Sequence, residues 1–393
     1  MNFYSIIIPT RSRPENLEYV IKSVLSQTFK NFELIISDNS PDLKSKNLNW
    51  KICCKFKNDD RIKYVMPISP MPMDEHWEFA TRLAEGIYVL ILTDRFVMRP
   101  SALQSIFDEL NRFKKVECAV YDVNSIYRSI VGDLNLSLTS NKVNMKSSDK
   151  ILKEWSCCGI SKNSSLYSNE LPRGLNSVFL NSTAKKIRSI HGKLFSRMSP
   201  DYTFAFLILA YIPEVLIIDK PLCISFGNES NGKNAQIYGM NYFEYPELLD
   251  LELVPMEINT VYNGLIHDYN YIKRRVGANF PGPNIGISNY CIAIYTDLAQ
   301  KEKLGSVMNT KLLFSKWFFF VSSLEQNEKK FIFNYVAKIH RPNVAKKIFN
   351  KLVIHFKIKK FLQIIKRYML KLFFLVSGKK VFDNVLSAIR FIG

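Results

Sequence analysis

Two aspartates stand at the ends of short apolar runs, where a carboxylate could do chemistry. Asp38 follows the run 32–37, and Asp94 follows the run 88–92 after one threonine. In an α/β protein, ligands bind where the carboxyl ends of parallel strands meet. A carboxylate there can accept hydrogen bonds from a ribose or a base edge, although Asp38 in Asp-Asn-Ser-Pro would also favour a simple Asx-turn.

Asp94 is followed by a cation rather than by a second acid. The turn reads Thr93-Asp94-Arg95-Phe96, so three interpretations stay open. In the first, Asp94 holds Mg²⁺ weakly together with substrate phosphates, since one or two carboxylates commonly suffice for that ion. In the second, Arg95, or Arg99 nearby, neutralises a diphosphate directly with its guanidinium. In the third, Arg95 points to solvent and the protein has lost activity.

A third aspartate begins a strongly apolar stretch. Ser199 is a predicted N-cap, and Pro200 suits the first position of a helix predicted over 200–211. Asp201 then complements the helix dipole, and the helix start can present its carboxylate to a cleft. Because the dipole alone would lower its pKa, Asp201 would need partial burial to act as a general base.

The elements that would position these residues follow from hydrophobic patterning. Short apolar runs alternate with segments of helical spacing, which predicts a mostly parallel sheet with helices on both faces. The region 130–190 is rich in Ser and Asn and is predicted to be loop-rich, and helical patterns dominate from about 242 onward. The predicted strands are 4–9, 32–37, 61–65, 88–92, 117–123 and late strands within 215–225, and the predicted helices start at Pro14 and cover 74–85, 104–116 and 200–211.

Composition fits a globular protein with reduced thiols. The 393 residues are 47% hydrophobic and 13% aromatic, which excludes wholesale disorder. Seven cysteines show no metal-binding spacing, and the N-terminus lacks the pattern of a secretory signal. No apolar stretch approaches the ~18 residues that span a bilayer. We therefore expect a cytoplasmic location.

The net charge of +19 is concentrated in the C-terminal tail. From Lys329 onward, 16 basic residues accompany one acid, Asp383, whereas residues 1–328 carry only +4. An apolar stripe opposite lysines and arginines is typical of a helix on an anionic membrane surface. A helix packed on the body is the alternative, and no nucleic-acid-binding module accompanies the charge. The stripe consists of Ile354, Ile358, Phe361, Ile365, Tyr368 and Leu372, and the basic face of Lys359, Lys360, Lys366, Arg367 and Lys371.

An ordered series of motifs runs through the first 240 residues. It begins with SIIIPTRSRPENLEYVIKSVLSQTFKNFELIISDNSPD and continues with MDEHWEFATRLAEGIYVLILTD. MSPDYTFAFLILA and LCISFGNESNG follow later. The series resembles family 2 glycosyltransferases, with the last two segments similar to the acceptor side of one bacterial branch. Over residues 3–236 the resemblance implies a GT-A-like α/β/α sandwich with a mostly parallel sheet, followed by a helical C-terminal region.

The resemblance implies three regions of the chain. Residues 1–236 would form the GT-A glycosyltransferase domain, with a nucleotide-binding half over about 1–100 and an acceptor half over about 101–236. Residues 237–328 would form a mainly helical extension, and residues 329–393 a basic amphipathic helical tail.

The resemblance also implies roles for individual residues. Asp201 matches the acceptor-side general base, and an acceptor loop would use Asn228, Ser230 and Asn231. In the family, the turn after this strand usually carries DxD or DDD, whereas this chain has the single Asp94. The diphosphate could therefore be bound either by Mg²⁺ or Mn²⁺ held at Asp94, or directly by Arg95. His76 and Trp77 could lie near the sugar, although Trp77 is expected to be buried. The nucleotide-binding positions are Pro9, Thr10, Arg11, Arg13, Asp38 and Asp94.

These features predict an inverting glycosyltransferase. It would move a sugar from a UDP- or dTDP-linked donor to a lipid-linked or cell-surface polysaccharide acceptor, at the inner face of the cell membrane. Asp201 would take the acceptor proton, and Asp38 would orient the nucleoside. The alternative is a catalytically silent GT-A module that binds glycan or scaffolds at the membrane. A nucleotidyltransferase would need a glycine-rich phosphate loop after the first strand, and the sequence PTRSRP at that position speaks against this class of enzyme.

Overall fold

The computed structural model describes residues 1–127, 133–135, 140–160, 165–196, 199–226, 251–303, 305 and 309–340. Within them the chain forms one sheet of ten strands with helices around it. The strands are β1 (Tyr4–Thr10), β2 (Phe32–Asp38), β3 (Ile62–Val65), β4 (Tyr88–Ile91), β5 (Phe96–Met98), β6 (Cys118–Tyr127), β7 (Asp133–Asn135), β8 (Val143–Ser147), β9 (Ser177–Leu180) and β10 (Glu214–Phe226). The helices are α1 (Pro14–Leu25), α2 (Leu43–Cys54), α3 (Met73–Arg82), α4 (Ala102–Phe113), α5 (Ser148–Ser156), α6 (Asn181–His191), α7 (Pro200–Leu209), α8 (Val261–Val276), α9 (Ile287–Lys303), α10 (Thr310–Ser323) and α11 (Gln326–His340).

The N-terminal part of the sheet is parallel. β1 pairs in parallel with both β2 and β4, and β2 pairs in parallel with β3. Thr10 lies opposite Asp38 in this register. The carboxyl ends of β1, β2 and β4 therefore meet at one edge, as the sequence predicts. The α/β class and the helical C-terminal region are confirmed.

The antiparallel strand β9 joins this parallel part to the rest of the sheet. It pairs with β4 on one side and β6 on the other. β10 then pairs in parallel with β6 and antiparallel with β5 and β8. The late strands predicted within 215–225 are one long strand, β10, whose register with β6 shifts around Pro221.

The prediction of a loop-rich region over 130–190 is wrong. This region contains β8, α5, β9 and α6, besides the short strand β7. Its Ser and Asn residues suggested loops, but strand formation depends more on pairing with neighbouring strands than on local composition. Both neighbours of β9 are themselves strands of the core.

Apolar side chains of the central strands are buried on both faces of the sheet. Ile6 and Ile8 of β1 join a cluster that includes Leu17 of α1. Ile7 joins a second cluster that includes Phe204 of α7. Because successive side chains of a strand point to opposite faces, helices must cover both sides of the sheet.

The C-terminal helices belong to the second of these clusters. The Trp155 ring of α5 lies 5.1 Å from the Tyr269 ring of α8 and 4.6 Å from the Phe206 ring of α7. Trp317 of α10 is buried, and its Nε1 donates a hydrogen bond to the Cys291 carbonyl of α9 at 2.8 Å. The helices α8 to α10 thus share a core with the sheet.

The amphipathic stretch predicted over 354–372 lies outside the described residues, whereas residues 329–340 belong to α11. Among the helices that the structure describes, none has the length and apolar character to cross a membrane. The seven cysteines are unbridged.

Candidate active site

The carboxylate of Asp94 is held by the loop that follows β1. Thr10, at the end of β1, donates its hydroxyl hydrogen to Asp94 Oδ2 at 3.0 Å. Arg13 Nη1 donates to Asp94 Oδ1 at 3.1 Å. Ser12, with φ 53°, occupies the left-handed region within this turn. The residues meet because β1 and β4 are parallel neighbours that end at the same edge.

Asp94 is buried beside two guanidinium groups. Its side chain is 2% exposed, whereas that of Arg13 is 32% exposed. Burial raises the pKa of the Asp94 carboxyl, and the nearby Arg13, Thr10 and Arg95 oppose the rise. Burial lowers the pKa of Arg95, as does the charge of Arg13, while Asp94 opposes the fall. One carboxylate thus stands among two cations, an arrangement that favours an anionic ligand.

Asp38 is held by neutral donors of its own neighbourhood. Its Oδ1 accepts from the Ser40 backbone N–H at 2.9 Å and from Ser40 Oγ at 2.6 Å, the first being the expected Asx-turn. Its Oδ2 accepts from Asn49 Nδ2 at 3.0 Å and from the Tyr64 hydroxyl at 2.7 Å. The residue is fully buried. Asp38 therefore organises the loop after β2, and its contact with a nucleoside stays a prediction.

Two aromatic side chains stand next to Asp38. The Tyr64 ring lies 5.3 Å from the Trp50 ring, and Trp50 is 54% exposed. Burial and the Asp38 carboxylate raise the pKa of the Tyr64 hydroxyl, so it stays a donor. An exposed indole beside a buried network offers a surface on which a flat ring can stack. Neither residue is marked as functional by its local sequence pattern, although Tyr64 lies near the carboxyl end of the predicted strand 61–65.

Arg11 and His76 support the neighbouring segment. Arg11 Nη1 donates to the Met71 carbonyl at 3.3 Å, and the Asn39 side chain binds the backbone of Met71 through both its oxygen and its nitrogen. His76 Nε2 lies 2.9 Å from Ser37 Oγ. Burial lowers the pKa of His76 to about 4, so its imidazole is neutral at pH 7. Trp77 is buried, as expected.

Asp201 is the second residue of α7 and is partly buried. Burial raises the pKa of its carboxyl to about 6, and the Asp268 charge adds to the rise. The Arg173 guanidinium and backbone N–H groups at the helix start oppose it. Pro200 occupies the first helical position, whereas Ser199 stands at the N-cap without a side-chain capping hydrogen bond. The burial that a general base needs is therefore present at Asp201.

Arg173 lies beside Tyr202, the residue that follows Asp201, and acts on Asp201 electrostatically. Its guanidinium lies 5.6 Å over the Tyr202 ring, and its Nε is a buried donor without a hydrogen-bond partner among the residues described. The next residue, Gly174, has φ +77° and accepts a hydrogen bond from the Ile91 backbone N–H at 3.4 Å. Since Ile91 ends β4 and Asp94 follows it, the turn that carries Arg173 and Gly174 contacts the strand end that leads to Asp94. No local sequence signal marks Arg173.

The helix α8 adds two buried polar residues on the Asp201 side. Asp268 is 3% exposed and His267 is 1% exposed. His267 Nδ1 lies 3.8 Å from Asp268 Oδ1. These residues belong to the extension 237–328, to which the sequence analysis assigned no chemistry.

The remaining predicted positions divide into two groups. Pro9 is buried within β1 opposite Ser37 of β2, where it shapes the strand end. The acceptor-loop residues Asn228, Ser230 and Asn231 lie outside the described residues. Their roles stay predictions.

The residues around Asp94 do not fit a divalent metal. Both of its oxygens already accept hydrogen bonds within the chain, and the positions after it are Arg95 and Phe96. Across the described ranges, no group of three or more His, Cys, Asp or Glu side chains could hold a metal ion. Mg²⁺ can be held by one carboxylate together with substrate phosphates, but here that carboxylate is engaged by Thr10 and Arg13 and lies beside a second cation, Arg95.

Parts of the chain are similar in sequence to known glycosyltransferases. The model of glycosyl transferase family 2 matches residues 5–165. The chain is also similar to the GalNAc(5)-diNAcBac-PP-undecaprenol beta-1,3-glucosyltransferase of Campylobacter jejuni subsp. jejuni serotype O:2, with 45% identity over 64 residues. The aligned segment covers 16% of this chain and 19% of that protein. The match thus spans about a fifth of the length of this curated relative.

Solved structures of S. aureus TarS 1–349 are also similar to this chain. The complex with UDP-GlcNAc matches at a TM-score of 0.49 and 12% identity, over 85% of this chain and 79% of that one. The complex with UDP matches at a TM-score of 0.45 and 13% identity, over 76% and 80% of the two chains.

Proposed function

We propose that the protein is an inverting glycosyltransferase, and the match of residues 5–165 to the model of glycosyl transferase family 2 supports this proposal. It transfers a sugar from a nucleoside-diphosphate donor to a hydroxyl of a lipid-linked or cell-surface glycan. The reaction is a single displacement at the anomeric carbon. It needs a site for the departing diphosphate and a base for the acceptor proton.

The observation that carries this proposal is the pairing of a partly exposed guanidinium with a buried carboxylate at the carboxyl edge of the sheet. Arg13 lies against Asp94 and supplies positive charge for the diphosphate. Asp201, near the start of α7, has its pKa raised by burial to about 6, and the Arg173 guanidinium opposes this rise. A carboxylate with this pKa is ionised at neutral pH and still basic enough to take a proton in the transition state.

The donor nucleoside is uridine or thymidine in this proposal. The exposed Trp50 and the half-buried Tyr64 offer aromatic surface for the base, next to the network of Asp38. Asp38 contributes by fixing Tyr64, Ser40 and Asn49 through its four hydrogen bonds. The aromatic pair therefore defines the nucleoside end of the cleft, and Arg13 the diphosphate end.

A lipid-linked acceptor would require the protein to act at a membrane surface, and we propose the inner face of the cell membrane. The name of the curated relative states a substrate linked to undecaprenol, which supports a lipid-linked acceptor. Large apolar side chains are exposed on α10 and α11 beside lysines, which suits an anionic lipid surface. The apolar residues are Leu312, Phe318, Phe319 and Phe331, and the lysines are Lys311, Lys316, Lys329, Lys330 and Lys338.

The test is release of nucleoside diphosphate by the full-length protein. UDP-glucose, UDP-GlcNAc, UDP-GalNAc and dTDP-rhamnose are incubated with the protein, with and without vesicles that carry bacterial polyprenyl-linked glycans. We expect release from at least one donor, stimulated by the vesicles, and a thermal shift with UDP or dTDP. Absence of release and of any shift with nucleoside diphosphates would instead support the catalytically silent module.

A further inference from the structure

Both oxygens of Asp94 are engaged within the chain. Oδ2 accepts from the Thr10 hydroxyl and Oδ1 from the Arg13 guanidinium. Asp94 is buried, so its carboxylate is turned to these partners and not to solvent. Thr10 ends β1, and its hydrogen bond fixes the carboxylate in the orientation that meets Arg13.

The charge around Asp94 favours an anion over a divalent cation. Arg13 and Arg95 both act on the Asp94 carboxyl electrostatically, so two positive groups accompany one negative group. A divalent cation placed here would be repelled by both guanidinium groups. A diphosphate carries the opposite charge, and guanidinium groups bind phosphate oxygens with strong, charge-assisted hydrogen bonds.

We infer that Arg13, oriented by Asp94, binds the diphosphate of the sugar donor directly, so that donor binding and transfer need no divalent metal. The inference rests on the proposed function, because it concerns the leaving group of that reaction. The Arg13 side chain is 32% exposed and makes one hydrogen bond to Asp94. A guanidinium carries five N–H donors, so others remain for phosphate oxygens.

The role of Arg13 follows from the electron flow of the transfer. The acceptor hydroxyl oxygen forms a bond to the anomeric carbon while the bond from that carbon to the diphosphate oxygen breaks. The hydroxyl proton passes to Asp201, and the electron pair of the broken bond leaves on the diphosphate. Arg13 donates hydrogen bonds to the phosphate oxygens as their negative charge grows, and its pairing with Asp94 holds it in place beforehand.

The test is a calorimetric titration of the full-length protein with UDP, dTDP and uridine, each in EDTA and in excess Mn²⁺. We expect the tighter of the two nucleotides to bind equally well in EDTA and in Mn²⁺. Arg13→Gln should weaken its binding about tenfold to a hundredfold, because a charge-assisted hydrogen bond is lost, and leave uridine unchanged. Arg112→Gln, which removes an arginine from the surface pair with Glu109, is the matched control and should change neither.

Different results overturn different claims. A requirement for Mn²⁺ in nucleotide binding by the wild-type protein overturns the inference and leaves the proposed function standing. Equal nucleotide affinity of Arg13→Gln and wild type also overturns it. No binding of UDP or dTDP under either condition overturns both the inference and the proposed function. The comparison of EDTA with Mn²⁺ uses wild-type protein, so a poorly folded Arg13→Gln variant does not block the test.

Discussion

Arg13 Nη1 and Asp94 Oδ1 come from positions 81 residues apart in the chain and lie 3.1 Å from each other at the carboxyl edge of the sheet. Their contact ties the loop after β1 to the turn after β4. Asp38, at the same edge, has neutral donors instead, among them Ser40 and Tyr64. Asp94 therefore positions a cation, whereas Asp38 shapes an uncharged surface.

The charge of Asp268 contributes to the pKa of the proposed base. Burial raises the pKa of Asp201 to about 6 and the negative charge of Asp268 adds to the rise, so removing that charge should lower the pKa. Activity requires ionised Asp201 and falls as the pH drops through its pKa. In Asp268→Asn the acid limb of kcat/KM should therefore move to lower pH, while the rate at pH 8 stays unchanged. Asp108→Asn, on α4, is the control; an unmoved limb or an upward shift would refute this coupling.

The Tyr64 hydroxyl stabilises the fold through Asp38. In Tyr64→Phe the buried carboxylate loses one of its four donors. A hydrogen bond to a charged group contributes about 1.5–3 kcal/mol, so the free energy of unfolding should fall by about that amount. Urea denaturation measures it. Tyr19→Phe removes the same atom outside this network and should change stability by less than about 0.5 kcal/mol. Equal stabilities of the two variants would contradict the assignment.

The exposed face of α10 is expected to contact anionic lipid. Leu312 is 53% exposed and Phe319 is 79% exposed. They are seven residues apart, about two helical turns, so they lie on the same side of the helix. The double variant Leu312→Ser, Phe319→Ser should lose most of its cosedimentation with anionic vesicles, whereas Ile190→Ser on α6 should retain it. Salt should weaken binding of the wild type, since surface charges are screened beyond ~10 Å. Equal sedimentation of both variants would exclude this face.

The strand that ends at Asp38 and the strand that precedes Asp94 could be predicted, because each is a short apolar run and the strands beside them in the sheet are also apolar. Parallel pairing then brings the strand ends together without further information. β9 could not be predicted this way. Its four residues stand in a region rich in Ser and Asn, and its formation depends on β4 and β6, which are distant in the chain.

The residues that act on Asp201 could not be predicted from the sequence either. Its position at a helix start follows from Pro200 and the apolar stretch after it. Arg173, from a turn that contacts Ile91, and Asp268, from α8, act on Asp201 electrostatically. Neither influence has a local sequence pattern, because each depends on how separate segments pack against one another.

The most direct test of the central claim is transfer by Asp201→Asn. The substitution keeps the shape of the side chain but removes the group that takes the acceptor proton. Loss of a general base typically lowers the rate by about 10²–10⁴, so transfer from the best donor should fall by that factor. The UDP or dTDP affinity and the melting temperature should stay at their wild-type values, because the donor is held around Arg13. An Asp201→Asn protein that retains most of its transfer rate would contradict the account and leave Asp201 as a residue of the helix start alone.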